Sequence, residues 1–246
     1  MSADDQQPLI VKRQDRVTTL TLNRPSARNA LNARLLAALE TELSAIAVDR
    51  DVAILVLRGA DGFFCAGGDV KERRSLPLTG DASLEQRSAR EGVLLAQLSQ
   101  MPQLTLAAVE GGAIGAGLGM VCACDLVLCT AGAFFSAPEI LTGNMPAQIA
   151  PYILAQAGRR EARRLLLTGT RITANEARAI GLVTEVLSDE ADMDLTIARK
   201  LEQLAGIHPR AIAHTKALLR RLMPIEADYP RIAAEAYVAL EHAKVS

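Results

Sequence analysis

With 246 residues, half of them apolar, the chain can bury a sizeable core in one large domain or in one domain with an appendage. Its 27 basic and 28 acidic side chains nearly cancel, which argues against nucleic acid, a membrane surface or a strongly charged partner. Apolar stretches at 104–109 and 121–129 are interrupted by Glu110, glycines and Asp125, well short of the roughly 20 residues that span a bilayer.

The first dozen residues carry Asp4, Asp5 and two glutamines but no basic start followed by an apolar run. They do not read as a secretion signal, and a cytoplasmic protein is expected. Cysteines at 65, 122, 124 and 129 have no nearby His and no paired zinc-type spacing; they read as buried free thiols, and no metal is expected.

In chain order, 17–22 has a period-two component and 51–57 is a short branched apolar run, so both read as strands. Between them Asn32 can cap a helix whose Leu35, Leu36, Leu39, Leu43 and Ile46 share one face. A second helix is expected over 84–100, stopped at Pro102, then a strand at 104–109, a Gly-rich turn, a short helix at 117–122 and a strand at 125–129. This alternation argues for an α/β fold. Residues 159–167 read as helix, Thr173 and Glu176 as a capping box closed by Gly181, and 183–186 as a last strand. Beyond Ser188 come three helices, broken near Pro209 and at Pro224, so the chain divides into a core at 1–188 and a helical appendage at 189–246 suited to packing on the core or on a neighbouring subunit. Residues 76–81 are the expected surface loop.

Three segments carry the chemistry. Phe63-Phe-Cys-Ala-Gly-Gly-Asp-Val70 follows a strand, and its adjacent glycines let backbone amides face a ligand. Gly111-Gly-Ala-Ile-Gly-Ala-Gly-Leu-Gly119 joins a strand to a helix and can direct unpaired N–H groups at a polarised carbonyl. A dinucleotide site is the rival reading of those glycines, but their register is off and Glu139, 20 residues beyond Gly119, does not sit at the tip of the next strand. Phe135-Ser-Ala-Pro-Glu139 sets a carboxylate after a proline-bounded turn. Alone, each is an ordinary turn or a solvated Glu; in order, two amide turns and a carboxylate suit enolate chemistry. The three histidines, 208, 214 and 242, all lie in the C-terminal helices, away from any serine-nucleophile turn, which argues against a serine hydrolase.

These segments, together with Leu22-Asn-Arg-Pro-Ser-Ala-Arg-Asn-Ala-Leu31, Ala108 to Gly115, Cys124-Asp125 and the Leu167–Gly169 and Gly181–Val183 pieces, resemble the crotonase, or enoyl-CoA hydratase/isomerase, superfamily over residues 9 to about 190. The resemblance implies a ββα spiral core with a C-terminal helical region and an acyl-CoA thioester as substrate, coenzyme A entering as part of it and no separate cofactor. It also implies a homotrimer or hexamer. By position it makes the amides of Gly68 and Ala116 the oxyanion hole and Glu139 the carboxylate that exchanges a proton with substrate carbon. It puts Ala66, Gly67 and Gly68 beside the coenzyme, with Arg28 and Lys71 as candidate phosphate neighbours, and Gly115 beside the substrate. Two-carboxylate hydratases that the chain resembles carry a glutamate where it has Gly119. The segment 143–151 is similar to hydratases of branched glutaconyl-CoA thioesters, so an enoyl-CoA hydratase is the first expectation, with Gln148 positioning water. An enoyl-CoA isomerase and a non-catalytic acyl-CoA-binding protein are the alternatives.

Overall fold

In the computed structural model, which describes residues 7–78, 83–188, 192–222, 225 and 227–245, the strands are divided between two sheets. The acidic start at 4–5, the expected loop beyond Leu78 and the break at Pro224 lie outside the described residues. The large sheet runs β1 (Leu9–Gln14), β2 (Val17–Leu22), β3 (Ile54–Gly59), β4 (Leu104–Val109), β6 (Leu126–Thr130), β9 (Glu185–Leu187), parallel except for the β1–β2 hairpin. The small sheet holds β5 (Gly112–Ile114), β7 (Phe134–Ser136) and β8 (Ile172–Thr173). Thus β4 and β6 enter the large sheet and, after a few residues, β5 and β7 enter the small one. This is the expected α/β spiral.

The helices follow from local signals. In α1 (Ala33–Val48) the Asn32 side chain accepts a hydrogen bond from Leu35 N at 2.9 Å, and the five apolar residues expected on one face are all buried. Each such burial stabilises by about 1.5–3 kcal/mol relative to exposure. α3 (Leu84–Gln100) has the expected bounds, and α4 (Ala116–Ala123) is buried along its whole length between α3 and α5 (Ala150–Thr168). α5 is longer than expected. Pro151 starts it and Gly158, at φ +69°, kinks it, so that only its second half carries a clear helical pattern in sequence. Thr173 forms the expected capping box with Glu176 on α6 (Ala174–Ala179). The strands read at 51–57, 125–129 and 183–186 begin one to three residues later, because parallel pairing with neighbours, not the apolar run, sets their ends.

Beyond β9 come α7 (Asp192–Leu204), α8 (Pro209–Leu222) and α9 (Tyr229–Val245). α9 packs along α3, bringing Tyr237 to the site described next. Among the described residues no helix is long and apolar enough to cross a membrane. All four cysteines are free and buried, as expected.

Candidate active site

The site is built by backbone register. Cys65 bridges Ala113 in parallel, with Ile114 N donating to Cys65 O at 2.9 Å, so Gly68 and Ala116, three residues beyond each, reach the same level. Ile114 in turn pairs with Ser136, and Gly115 N donates to Ser136 O at 2.9 Å, which carries the chain through Pro138 into a 3-10 turn with Glu139 at the same end. Two of the glycines are obligatory. Gly67 has φ +86° and a Cβ there would sit 2.8 Å from Ile114 O; Gly115 has φ +54° and its Cβ would sit 2.6 Å from Glu139 Oε1. The Glu139 carboxylate therefore lies against the start of α4.

Both candidate amides are turned away from the scaffold. Leu31 N donates to Gly67 O and Asp69 N to Leu31 O, both at 2.8 Å; in that parallel bridge the N–H of Gly68 points to the opposite side. Ala116 is the first residue of α4, whose first intrahelical bond runs from Gly119 N to Gly115 O, so its N–H has no intrahelical acceptor. The 22–31 segment braces the loop. Arg24 pairs with Asp69 at 3.1 Å, Asp69 caps α2 (Val70–Arg74), and the buried Asn29 amide donates to Ala60 O and Phe63 O.

Two chambers meet here. An outer one of about 390 Å³ is lined by Ala66, Gly67, Gly68, Gly115, Arg73 and Arg74 among others; an inner one of about 40 Å³ by Gly68, Ala116, Glu91, Ser88, Ile149 and Gln148 among others. Gly68, Arg73, Glu139 and Tyr237 line both. Glu139 Oε2 is buried without a hydrogen-bond partner. Burial pushes the Glu139 carboxyl above its ordinary value and the charge of Glu91 adds to this, while its own backbone amide and Arg73 oppose it. A carboxyl that burial inclines towards its protonated form, with two free amides facing the same space, suits protonation of a carbon next to a polarised thioester.

Of the residues expected at the site, Ala66, Gly67, Gly68, Gly115, Ala116, Glu139 and Gln148 come together. Arg28 and Lys71 are exposed and line neither chamber; Arg28 instead stacks over Phe63 at 5.7 Å. The cations at the chambers are Arg73 and Arg74. Arg73 donates to the Tyr237 hydroxyl and lies over its ring at 5.1 Å. Sequence reading also passed over Glu91. Its signal is helical spacing: Leu84, Arg87, Ser88, Glu91, Leu95 and Leu98 share the buried face of α3, so three polar residues stand where an apolar stripe is expected.

A fold of two sheets that brings paired free amides to the carboxylates of Glu139 and Glu91 suits acyl thioester chemistry. A family model described as enoyl-CoA hydratase/isomerase matches residues 12–242, and the chain belongs to that family, the crotonase superfamily, which acts on acyl-CoA thioesters. It is 39% identical to the 2,3-dehydroadipyl-CoA hydratase of Escherichia coli over 215 residues, 87% of this chain and 82% of that protein. It is 28% identical to the peroxisomal Delta(3,5)-Delta(2,4)-dienoyl-CoA isomerase of Arabidopsis thaliana, over 85% of this chain and 79% of that one. Among solved structures, Pseudomonas aeruginosa AtuE is similar at 37% identity and TM-score 0.85, covering 95% of this chain and 91% of its own.

Proposed function

We propose that the chain adds water across the double bond of a 2-enoyl-CoA thioester whose acyl group carries a distal carboxylate, of the branched glutaconyl type. The observation that carries the reading is the junction of the two chambers, where the Gly68 and Ala116 amides and Glu139, whose carboxyl burial shifts upward, face one space. The amides take the thioester oxygen as negative charge develops on it, each donor being worth about 3 kcal/mol of transition-state stabilisation. Glu139 delivers its proton to the α carbon. Coenzyme A lies in the outer chamber along Ala66 to Gly68, with Arg73 and Arg74 as the cations nearest its phosphates. The carboxylate-bearing acyl class is supported by the name of the similar 2,3-dehydroadipyl-CoA hydratase, which denotes a dicarboxylic thioester, and by Arg73 on the wall that both chambers share.

Residues 189–246 serve assembly into a trimer or a dimer of trimers, a reading supported by the exposed Leu195, Leu218, Leu219 and Leu222. Double-bond migration is the second reading, favoured by the similarity to a dienoyl-CoA isomerase and by the absence of a carboxylate at position 119. A panel of plain and dicarboxylic enoyl-CoA thioesters, assayed for both water addition and double-bond migration, decides between them. Hydrated product with kcat/KM highest on dicarboxylic thioesters is expected; migrated product alone would make the chain an isomerase, and equal rates on both acyl types would refute the acyl class. Glu139→Gln should lower kcat by about 10²–10⁴-fold, and a variant hydrating at the normal rate would remove Glu139 from the mechanism.

A further inference from the structure

Three buried acceptor atoms without a hydrogen-bond partner belong to side chains that line the inner chamber: Glu91 Oε1, Glu139 Oε2 and Gln148 Oε1. An orphaned buried acceptor is unfavourable, so three at one polar chamber point to a donor shared among them. A space of about 40 Å³ suits a water molecule, which needs roughly 10–15 Å³ and two to four polar partners. A water has two hydrogens to donate, so it satisfies two of the three acceptors.

The geometry separates their roles. Gln148 is fixed by its amide nitrogen, which donates to Ser88 Oγ at 3.2 Å and Pro230 O at 2.9 Å, leaving its oxygen packed over Gly92, where a Cβ would fall 2.1 Å away. Glu91, the residue before Gly92 on the same helix, reaches the oxyanion loop: a Cβ built on Gly68 would lie 3.0 Å from Glu91 Oε1. Arg87 Nη1 stands 3.5 Å from that oxygen, close enough to balance its charge but without forming a hydrogen bond. Arg87 is itself tied to Leu31 O at 2.5 Å and to Glu72. Glu139 sits on the other wall, against Gly115.

We propose that Glu91 is the water-activating carboxylate of this enzyme, accepting one hydrogen of the attacking water while Gln148 Oε1 accepts the other. The assignment rests on the hydratase reading above. As the water oxygen bonds to the β carbon, its O–H bond to the Glu91 side breaks and Glu91 takes the proton. The π pair moves through the α carbon onto the thioester oxygen at the Gly68 and Ala116 amides. It returns to form a C–H bond with the proton of Glu139, and a proton passing from Glu91 to Glu139 restores the starting state. The sum is addition of one water, with no oxidant or reductant. The charge of Glu91 also favours the protonated form of Glu139 that this division of labour needs.

The competing role for Glu91 is to neutralise Arg87 and nothing more. Three variants, Glu91→Gln, Glu139→Gln and the double Arg87→Gln/Glu91→Gln, separate the two when assayed for hydration of crotonyl-CoA and 2,3-dehydroadipyl-CoA and for exchange of the α hydrogen of butyryl-CoA in deuterated water. Glu91→Gln is expected to lose hydration by about 10²–10⁴-fold in kcat, with KM within about threefold and α-hydrogen exchange retained, whereas Glu139→Gln loses both. The double variant, which leaves no unpaired Arg87 charge, should match Glu91→Gln. Normal hydration by Glu91→Gln, recovery of hydration in the double variant, or loss of exchange together with hydration in Glu91→Gln would each overturn the assignment. A wild-type enzyme that moves double bonds without adding water would overturn the hydratase reading itself, an outcome distinct from a wild type that hydrates and a Glu91 variant that hydrates equally well.

Discussion

Restoring a glutamate at position 119 tests whether the chain has dropped that carboxylate from its fold or merely from its sequence. Gly119 lies inside the buried α4, where a Cβ would fall 2.6 Å from Ile149 Cγ2, 3.0 Å from Leu95 Cδ1 and 3.2 Å from Ile149 Cβ. Both neighbours are core residues, at 3% and 1% exposure, so neither can swing into solvent. Overpacking of this kind costs about 1–3 kcal/mol, and an ionised carboxylate buried without a partner adds several kcal/mol more. The better helix propensity of Glu over Gly returns less than about 1 kcal/mol. Gly119→Glu should therefore lose on the order of 4–6 kcal/mol, a large share of the roughly 5–15 kcal/mol that holds a typical protein folded, and gain no hydration rate. Gly119→Ala isolates the steric part: about 1 kcal/mol of helix propensity set against 1–3 kcal/mol of overpacking leaves a net loss of about 1 kcal/mol. Adding Ile149→Ala removes the clashing branch, so the double variant should be more stable than the sum of the singles predicts by about 1 kcal/mol or more. Urea unfolding at neutral pH of five proteins, the wild type, Gly119→Glu, Gly119→Ala, Ile149→Ala and the double variant, measures this. A Gly119→Ala protein as stable as wild type, or a Gly119→Glu protein that hydrates faster, would refute the packing argument.

Glu139 links the site to stability. Its folded-state carboxyl binds a proton more tightly than the ordinary value of 4.5, through burial first; the contribution is present below that value and is lost as pH rises from 4.5 through the raised value. Glu139→Gln should then melt higher than wild type at pH 7, with the advantage vanishing as pH falls below 4.5; a pH-independent difference in Tm would argue against it. Asn32→Ala should cost about 1 kcal/mol in urea unfolding through the lost cap on Leu35 N, with kcat unchanged. Burial raises the thiols of Cys65, Cys124 and Cys129 to about 12 and Cys122 upward as well, so a thiol reagent at pH 8 should label none of the four cysteines in the folded protein and all four in urea.

What could be read from the sequence was what local pattern determines. α1 was legible because its cap and five apolar residues repeat at helical spacing, and α3 because Pro102 stops it. β5, β7 and β8 were not. They are two or three residues long, and only pairing with partners some 20 to 40 residues away makes them strands. The segments that hold Gly68, Ala116 and Glu139 were legible as turns, but it was their order and the family resemblance, not the local pattern, that singled out those three residues. Glu91 was not, because a Glu in an amphipathic helix reads as solvated until α9 is seen packed along α3, bringing Tyr237 to the chamber that Glu91 lines. Arg73 was passed over for the same reason: its partner, Tyr237, is 164 residues away.

The two parts of the site differ in how they are held, and this decides what substitution can do to them. The amides of Gly68 and Ala116 are main-chain groups placed by the Cys65–Ala113 and Ile114–Ser136 registers, so an alanine at position 116 presents its N–H as a glycine would. The carboxylates depend on which helix or turn faces the chamber. On α4 position 119 is a glycine filled over by Ile149 and Leu95, whereas on α3, one helix away, Ser88 and Glu91 line the inner chamber. A second acidic group can thus move between neighbouring helices without disturbing the amides.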